Sequence, residues 1–264
     1  MKTKNYSKLI SIIVVSLNTK KKFLKTINSI QEQVYQNYEI IIIDGKSIDG
    51  TIKEIKKIKN KKVKYIIQKD NGIYDAMNKG IRKSKGEWII FLNSGDVFYN
   101  QNVLIKIFSK KINKFDILFG DTVVVSKSLS YKVAAKKFTN RTITMPFCHQ
   151  STLVKSIYLK KYLFDLNYNL SSDFNFFLNS YYKNLKFNKH NSVISKVEAY
   201  GQSDLNRQTV FSQNIRIFLK KGGYFNVLCL FFMKFFDFAK DLIKLFLPAK
   251  LVKQIIKIKY QKLF

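Results

Sequence analysis

Two apolar segments that each end in an acid constrain this chain more than any other feature. The first is Ile40-Ile41-Ile42-Ile43-Asp44, the second Trp88-Ile89-Ile90-Phe91-Leu92-Asn93-Ser94-Gly95-Asp96. An unbroken apolar run leaves no face for water, so each reads as a strand covered on both sides, as in the parallel sheet of an α/β protein. Such a strand delivers the residues after it to the C-terminal edge of the sheet, where open α/β folds bind ligands. Between the two lies Asp70-Asn71-Gly72-Ile73-Tyr74-Asp75-Ala76-Met77-Asn78-Lys79-Gly80, a polar loop running into a helix with small residues on one face.

The flanking pattern agrees. Leu9-Ile10-Ser11-Ile12-Ile13-Val14-Val15-Ser16-Leu17 is rich in β-branched residues and suits a first core strand. Its approach, Lys2 and Lys4 before an apolar run, mimics a signal peptide, but Asn18-Thr19-Lys20-Lys21-Lys22 follows with no small-residue cleavage site, so a cytosolic protein is expected. Phe23, Leu24, Ile27, Ile30 and Val34 recur at helical spacing. Asp49-Gly50-Thr51 starts a second helix with Ile48, Ile52, Ile55 and Ile58 on one side, and residues 63–67 read as a third strand. Tyr74, Met77 and Ile81 mark a helix, residues 87–92 a strand, and Val103, Leu104, Ile107 and Phe108 another helix. Residues 115–120 and 122–125 read as two strands around Gly120-Asp121, and from about Met145 the alternation fades. Strand and helix alternating in this way predict a mostly parallel central sheet flanked by helices.

At 264 residues the chain is long enough for one α/β domain with an appendage. The formal charge of +31, from 48 Lys and Arg against 17 Asp and Glu, would ordinarily point to nucleic acid or a membrane surface. Lysine, Asn, Ile, Phe and Tyr are abundant throughout while Pro, Gly and Ala are scarce, so local charge placement says more than the total. No nucleic-acid motif accompanies the charge, and no specific nucleic-acid partner is expected. Cys148 and Cys229 form neither a disulfide framework nor a metal quartet.

Over about residues 8–200, and most closely over 11–96, the chain resembles family-2 glycosyltransferases, in particular the branch that builds bacterial capsule, exopolysaccharide or lipopolysaccharide O-antigen. The residues that carry the likeness are Ser16-Leu17-Asn18, Asp44, the Asp70 loop with its Ala-x-Asn-x-Gly helix, Asn93-Ser94-Gly95-Asp96, and Phe147-Cys148-His149-Gln150. The resemblance implies a GT-A fold over 1–222, with a nucleotide-sugar half at about 8–120 and an acceptor half at about 121–222, and an enzyme that inverts the anomeric centre. It implies a UDP-, GDP- or dTDP-sugar donor and a saccharide or lipid-linked saccharide acceptor.

Residue by residue, Ser16 and Asn18 fall where the family's first strand meets the nucleotide. Asp44 falls where an acid binds the nucleobase, a task suited to a carboxylate because it can accept two N–H bonds. Lys46 stands where the family often has a small residue. Asp70, Gly72 and Asn78 fall along the nucleotide-sugar cleft. The family's Asp-x-Asp metal motif is replaced by Asn93-Ser94-Gly95-Asp96, leaving Asp96 as the ligand for Mg²⁺ or Mn²⁺, ions that take one or two carboxylates plus phosphate oxygens. His149 and Gln150 resemble a segment near the diphosphate or acceptor. Asp173, in Ser171-Ser172-Asp173-Phe174, takes the place of the base, with a helix cap as the plain alternative.

Beyond Gly222-Gly223, residues 223–264 read as a basic amphipathic helical tail. Lys234, Asp237, Lys240, Asp241 and Lys244 interrupt the roughly 20 apolar residues that a membrane span needs. They lie largely on one helical side opposite a wide aromatic face, and Lys250, Lys253, Lys257, Lys259 and Lys262 follow. This predicts an interfacial helix on an anionic membrane, with packing on the catalytic domain or on a second copy in a homodimer as the alternative. Two competing functions remain at this point. A sugar-nucleotidyltransferase would need a glycine-rich loop after the first strand, which Asn18-Thr19-Lys20-Lys21-Lys22 lacks. A nonenzymatic basic module has no use for acids at successive strand ends.

Overall fold

The computed structural model describes residues 8–246 apart from 111, 127, 128 and 200, with backbone alone at 240, 241 and 243–246. Strands and helices alternate through β1 (Ile10–Ser16), α1 (Lys20–Gln31), β2 (Tyr38–Asp44), α2 (Thr51–Lys57), β3 (Val63–Ile67), α3 (Ile73–Lys83) and β4 (Trp88–Phe91). Then come β5 (Val97–Phe98), α4 (Val103–Phe108), β6 (Ile117–Val125), β7 (Ser130–Val133), a 3-10 turn (His149–Ser151), β8 (Thr152–Lys155), α5 (Ser156–Lys161) and α6 (Ser172–Tyr182). The described chain closes with β9 (Phe187–Glu198), α7 (Gln202–Leu205), α8 (Arg207–Leu219) and α9 (Tyr224–Phe246).

One sheet runs in the order β3-β2-β1-β4-β8-β6-β9-β5, with β7 paired to β6. The first four strands are parallel, in register at Ser16↔Asp44 and Ile13↔Phe91. β8 then enters antiparallel between β4 and β6, and β9 returns parallel to β6. The sheet is therefore mixed, and strands from both halves of the chain interleave in it. Side chains alternate between two cores, as strand pleating requires. Ile13, Ile41, Ile43, Ile89 and Phe91 face one, and Ile12, Val14, Ile40, Ile42 and Ile90 the other. Covering both faces is why the runs carry no polar alternation.

Several details depart from the sequence expectation. α1 ends at Gln31, so Val34 lies beyond it, exposed. Ile48 precedes α2 and is 92% exposed, since α2 buries only Thr51 and Ile55. The two strands expected around Gly120 are one strand, β6, whose pairing with β9 shifts register near Asp121. Glycine permits this, because a Cβ at Gly120 would lie 2.6 Å from the Ser192 carbonyl oxygen. The small face of α3 serves close packing: a Cβ at Gly80 would lie 2.5 Å from Ile13 Cγ2, so α3 sits directly on β1. Among the described residues the region after Met145 is regular, contributing β8, β9 and five α-helices.

In α9 the two charged side chains among the described residues, Lys234 and Asp237, face inward. Lys234 donates to Ser212 Oγ (2.8 Å) and Asp237 pairs with Arg207 (3.1 Å), both partners lying on α8, while Val227 and Leu230 are buried beside them. The aromatic face points to solvent, with Phe225 72%, Phe232 56% and Phe235 65% exposed. The basic run at Lys250, Lys253, Lys257, Lys259 and Lys262 lies outside the described residues, as do the side chains of Lys240, Asp241 and Lys244. No helix among the described residues is long and apolar enough to cross a membrane.

Candidate active site

The C-terminal ends of β1, β2 and β4 lie together at one sheet edge, so the loops after them meet. Ser16 ends β1, buried, with its hydroxyl 3.0 Å from Thr19 Oγ1. Asn18 follows in the left-handed region (φ 51°). It stitches the β1–α1 loop to the β2–α2 loop, donating its N–H to Ser47 Oγ (2.8 Å) and accepting the Ile48 N–H at Oδ1 (2.8 Å). Lys46 also adopts a left-handed conformation (φ 67°), which suits the small residue more usual there.

Asp44 is fully buried, and its two oxygens accept the Ser47 N–H and hydroxyl, each at 2.7 Å. The expected nucleobase contact therefore starts from a carboxylate already engaged with its own loop. Asp49 joins two helix starts, accepting from Lys20 N–H on α1 (2.9 Å) and Thr51 N–H on α2 (3.0 Å). Asp70 closes its own turn by accepting the Gly72 N–H (3.1 Å), and its other oxygen lies against Gly45, where a Cβ would come within 2.6 Å. Gly72 is exposed, with φ 102°. Asn78 turns away from this edge. It is 2% exposed and braces the Phe164 backbone with both ends of its amide, at 2.9 Å each.

The other candidates converge. The turn at Asn93-Ser94-Gly95-Asp96 is fixed from α1 by Thr26, whose hydroxyl accepts the Gly95 N–H (2.9 Å) and donates to the Asp96 carbonyl (2.8 Å). The Asp96 carboxylate is buried and accepts from Gln150 Nε2 at 3.0 Å. Burial pushes its carboxyl up to about 6, against the pull of His149 and Gln150. The Gln150 amide is oriented from behind, because Cys148 Sγ donates to its Oε1 at 2.6 Å. Burial pushes that thiol up to about 12, so it stays a donor at neutral pH.

One residue before Gln150, His149 Nδ1 lies 3.0 Å from Asp173 Oδ2, and its Nε2 lies 3.5 Å from Asn93 Nδ2. Asp173 is in the first turn of α6, 8% exposed, and its Oδ1 accepts the Tyr74 hydroxyl and the Phe174 N–H, each at 2.8 Å. Burial alone would raise its carboxyl, but His149 and Tyr74 outweigh it and hold the group below the usual carboxylate range. Asp173 is therefore an ionised acid inside the site, its side chain reaching His149 and Tyr74 while also accepting a first-turn N–H of α6. Its ligands span three chain segments.

Among the described residues no three His, Cys, Asp or Glu side chains cluster to hold a metal. The donors present are nevertheless hard oxygens: Asp96 beside Asn93, whose Oδ1 is buried without a hydrogen-bond partner. That set fits a Mg²⁺ or Mn²⁺ ion completing its shell with water and phosphate oxygens. Thr26 and Tyr74 are site residues that motif reading passes over. Each puts a hydroxyl on the buried face of a helix, and a buried hydroxyl needs a partner.

Two hollows adjoin this edge. An open groove of about 450 Å³ is lined by Asn18, Thr19, Lys20, Lys21, Lys22 and Asp49. A smaller one of about 220 Å³ lies among Gly120, Thr122, Met145, Phe147 and Cys148.

Comparison with known proteins gives a concordant picture. The model of Glycosyl transferase family 2 matches residues 11–186. A PGL/p-HBAD biosynthesis glycosyltransferase of Mycobacterium bovis is 28% identical over 181 residues, spanning 64% of this chain and 68% of the relative. In fold, the chain is similar to Staphylococcus aureus TarS 1–349 (TM-score 0.63, 19% identity, 88% of this chain and 73% of TarS), also solved with UDP-GlcNAc. It is likewise similar to the mannosyltransferase PcManGT of Pyrobaculum calidifontis, in complex with GDP-Man and Mn²⁺ (TM-score 0.63, 13% identity, 82% and 65% covered).

Proposed function

The chain belongs to glycosyl transferase family 2 and is a glycosyltransferase with a GT-A-like fold; from that premise we propose that it moves a sugar, with inversion, from a nucleoside-diphosphate sugar to a saccharide acceptor carried on a lipid, in the building of a bacterial surface polysaccharide. The observation that carries this reading is the 3-10 turn at His149–Ser151, whose consecutive residues reach the two acids the reaction needs. His149 meets Asp173 and Gln150 meets Asp96.

In this scheme the acceptor hydroxyl lies against Asp173, which takes its proton as the oxygen attacks the anomeric carbon from the face opposite the nucleotide. The C–O bond to the diphosphate breaks, and the electron pair leaves on the phosphate oxygen. Asp173 suits the role because it is ionised before the acceptor arrives. Asp96 and the Asn93 amide oxygen would hold a divalent cation, which when bound neutralises charge on the departing diphosphate. Lys20, Lys21 and Lys22 line the adjoining groove and add positive charge on the donor side. The donor class draws support from the UDP-GlcNAc and GDP-Man held by the two structural neighbours. The outward aromatic face of α9 supports peripheral attachment to the cytoplasmic face of an anionic membrane, where a lipid-linked acceptor would be met.

A thermal-shift and saturation-transfer panel of UDP-, GDP- and dTDP-sugars, with and without Mn²⁺, tests the donor reading. One nucleotide class should raise the melting temperature, and more so with the cation. Absence of any binding would reject it.

A further inference from the structure

We propose that the Tyr74 hydroxyl is a positioning group for the base of transfer: it fills one oxygen of Asp173, so that the other oxygen is the one that takes the acceptor proton. The inference rests on Asp173 being the base.

A carboxylate oxygen has two in-plane lone pairs. On Asp173 Oδ1 both are occupied, one by Tyr74 O–H and one by the Phe174 N–H, each at 2.8 Å. Among the described residues Oδ2 has a single partner, His149 Nδ1 at 3.0 Å, which leaves one lone pair for a proton. Tyr74 thus decides which oxygen is reactive and fixes the plane of the carboxylate. A neutral donor suits this task, since it orients the anion without the full charge that would suppress its basicity.

The phenol is equipped for that part and no other. It is 5% exposed, and burial together with the neighbouring Asp173 charge pushes it well above its ordinary value, so it remains a donor and cannot accept the proton itself. Its location comes from the fold. α3 is seated on β1 through Gly80, and the Tyr74 ring packs on Phe164 at 5.2 Å between centroids. The hydroxyl thereby reaches an acid 99 positions away in sequence. Packing alone would be served equally by Phe.

The test compares full-length wild type, Tyr74→Phe, Asp173→Asn and the double variant, each checked for folding by circular dichroism. Release of nucleoside diphosphate is followed from whichever UDP-, GDP- or dTDP-sugar the full chain turns over. Tyr74→Phe should lower kcat about 10- to 100-fold, the range for a hydrogen bond to a charged group, with donor KM unchanged within about twofold. In the Asp173→Asn background it should cause no further loss, because Tyr74 then has no anion to orient. A kcat for Tyr74→Phe within about twofold of wild type, a change confined to KM, or a loss that multiplies in full with that of Asp173→Asn would each overturn the proposal. Wild-type turnover by Asp173→Asn would instead reject the base reading, and the positioning role with it.

Discussion

Asp96→Asn should make the metal-free protein more stable at neutral pH while removing its response to cations. Asp96 is 7% exposed, and its carboxyl rises from an ordinary 3.8 to about 6, chiefly through burial. The native state therefore binds the proton more tightly than the unfolded chain. Stability at the acid end is not penalised, and it falls as pH rises from about 4 to about 6, where the buried group must ionise. At 1.36 kcal/mol per pH unit, the rise amounts to a destabilisation of about 3 kcal/mol at pH 7, an upper bound on what the neutral amide recovers. For a chain of this size that corresponds to at most about 6–12 °C in Tm. The amide can still accept from Gln150, so the turn is kept. Differential scanning calorimetry at pH 7 and pH 4 should show the gain at pH 7 and its disappearance at pH 4. Adding Mn²⁺ should raise the wild-type Tm and leave the variant unmoved, since a bound cation favours the ionised acid. A variant less stable than wild type at pH 7, or one whose gain persists unchanged at pH 4, would refute the burial argument; an equal cation response in both proteins would refute Asp96 as ligand.

Asp173→Asn should bind the sugar nucleotide normally and lose about 10²- to 10⁴-fold in transfer rate, measured by isothermal calorimetry and product release; lost donor binding would mark a structural role. Asp44→Ala frees Ser47 and loosens the loop stitched to Asn18, so donor Kd should rise, by about tenfold for one charged hydrogen-bond acceptor, and an unchanged Kd removes Asp44 from the donor site. Gly120→Ala should lower Tm, because its Cβ meets the Ser192 carbonyl oxygen at 2.6 Å, while the melting of an Ala at exposed Gly201 serves as the control. Removing residues 224–264 should release the protein from anionic vesicles in co-sedimentation, as the exposed aromatic face is lost together with lysines each contributing about 1 kcal/mol near the surface. Equal sedimentation of both forms rejects the tail as anchor.

The parallel half of the sheet was legible because a strand buried on both faces must be apolar throughout, and Ile40 to Ile43 and Trp88 to Leu92 are. β9 carried no such mark. Its Phe-Asn-Lys-His-Asn-Ser opening is polar, and it is held by long ladders to β6 that only the fold reveals. The charges of α9 mark one side of a helix, and the structure turns Lys234 and Asp237 onto α8, because periodicity shows that a helix has two faces without saying which neighbour each meets. In the site, Asp96, His149, Gln150 and Asp173 stood out as motif residues. What they touch did not, since the Tyr74 contact joins residues 99 apart. Asn78 shows the converse: its motif position suggested the cleft, and its amide is spent on the Phe164 backbone.

The short turn from His149 to Ser151 also has a thermodynamic consequence. On the proposed mechanism its two neighbouring side chains sit at different ends of the reaction, Gln150 beside the acid at the leaving diphosphate and His149 beside the base at the incoming hydroxyl. If a donor that draws Gln150 away from Asp96 also shifts the backbone that carries His149, the hydrogen bond from His149 to Asp173 shifts with it. Donor and acceptor occupancy are then linked, and the linkage must be reciprocal: the factor by which a filled donor site alters acceptor affinity equals the factor for the reverse. A three-residue turn that touches both acids would in this way couple the affinities of two substrates that bind on either side of it.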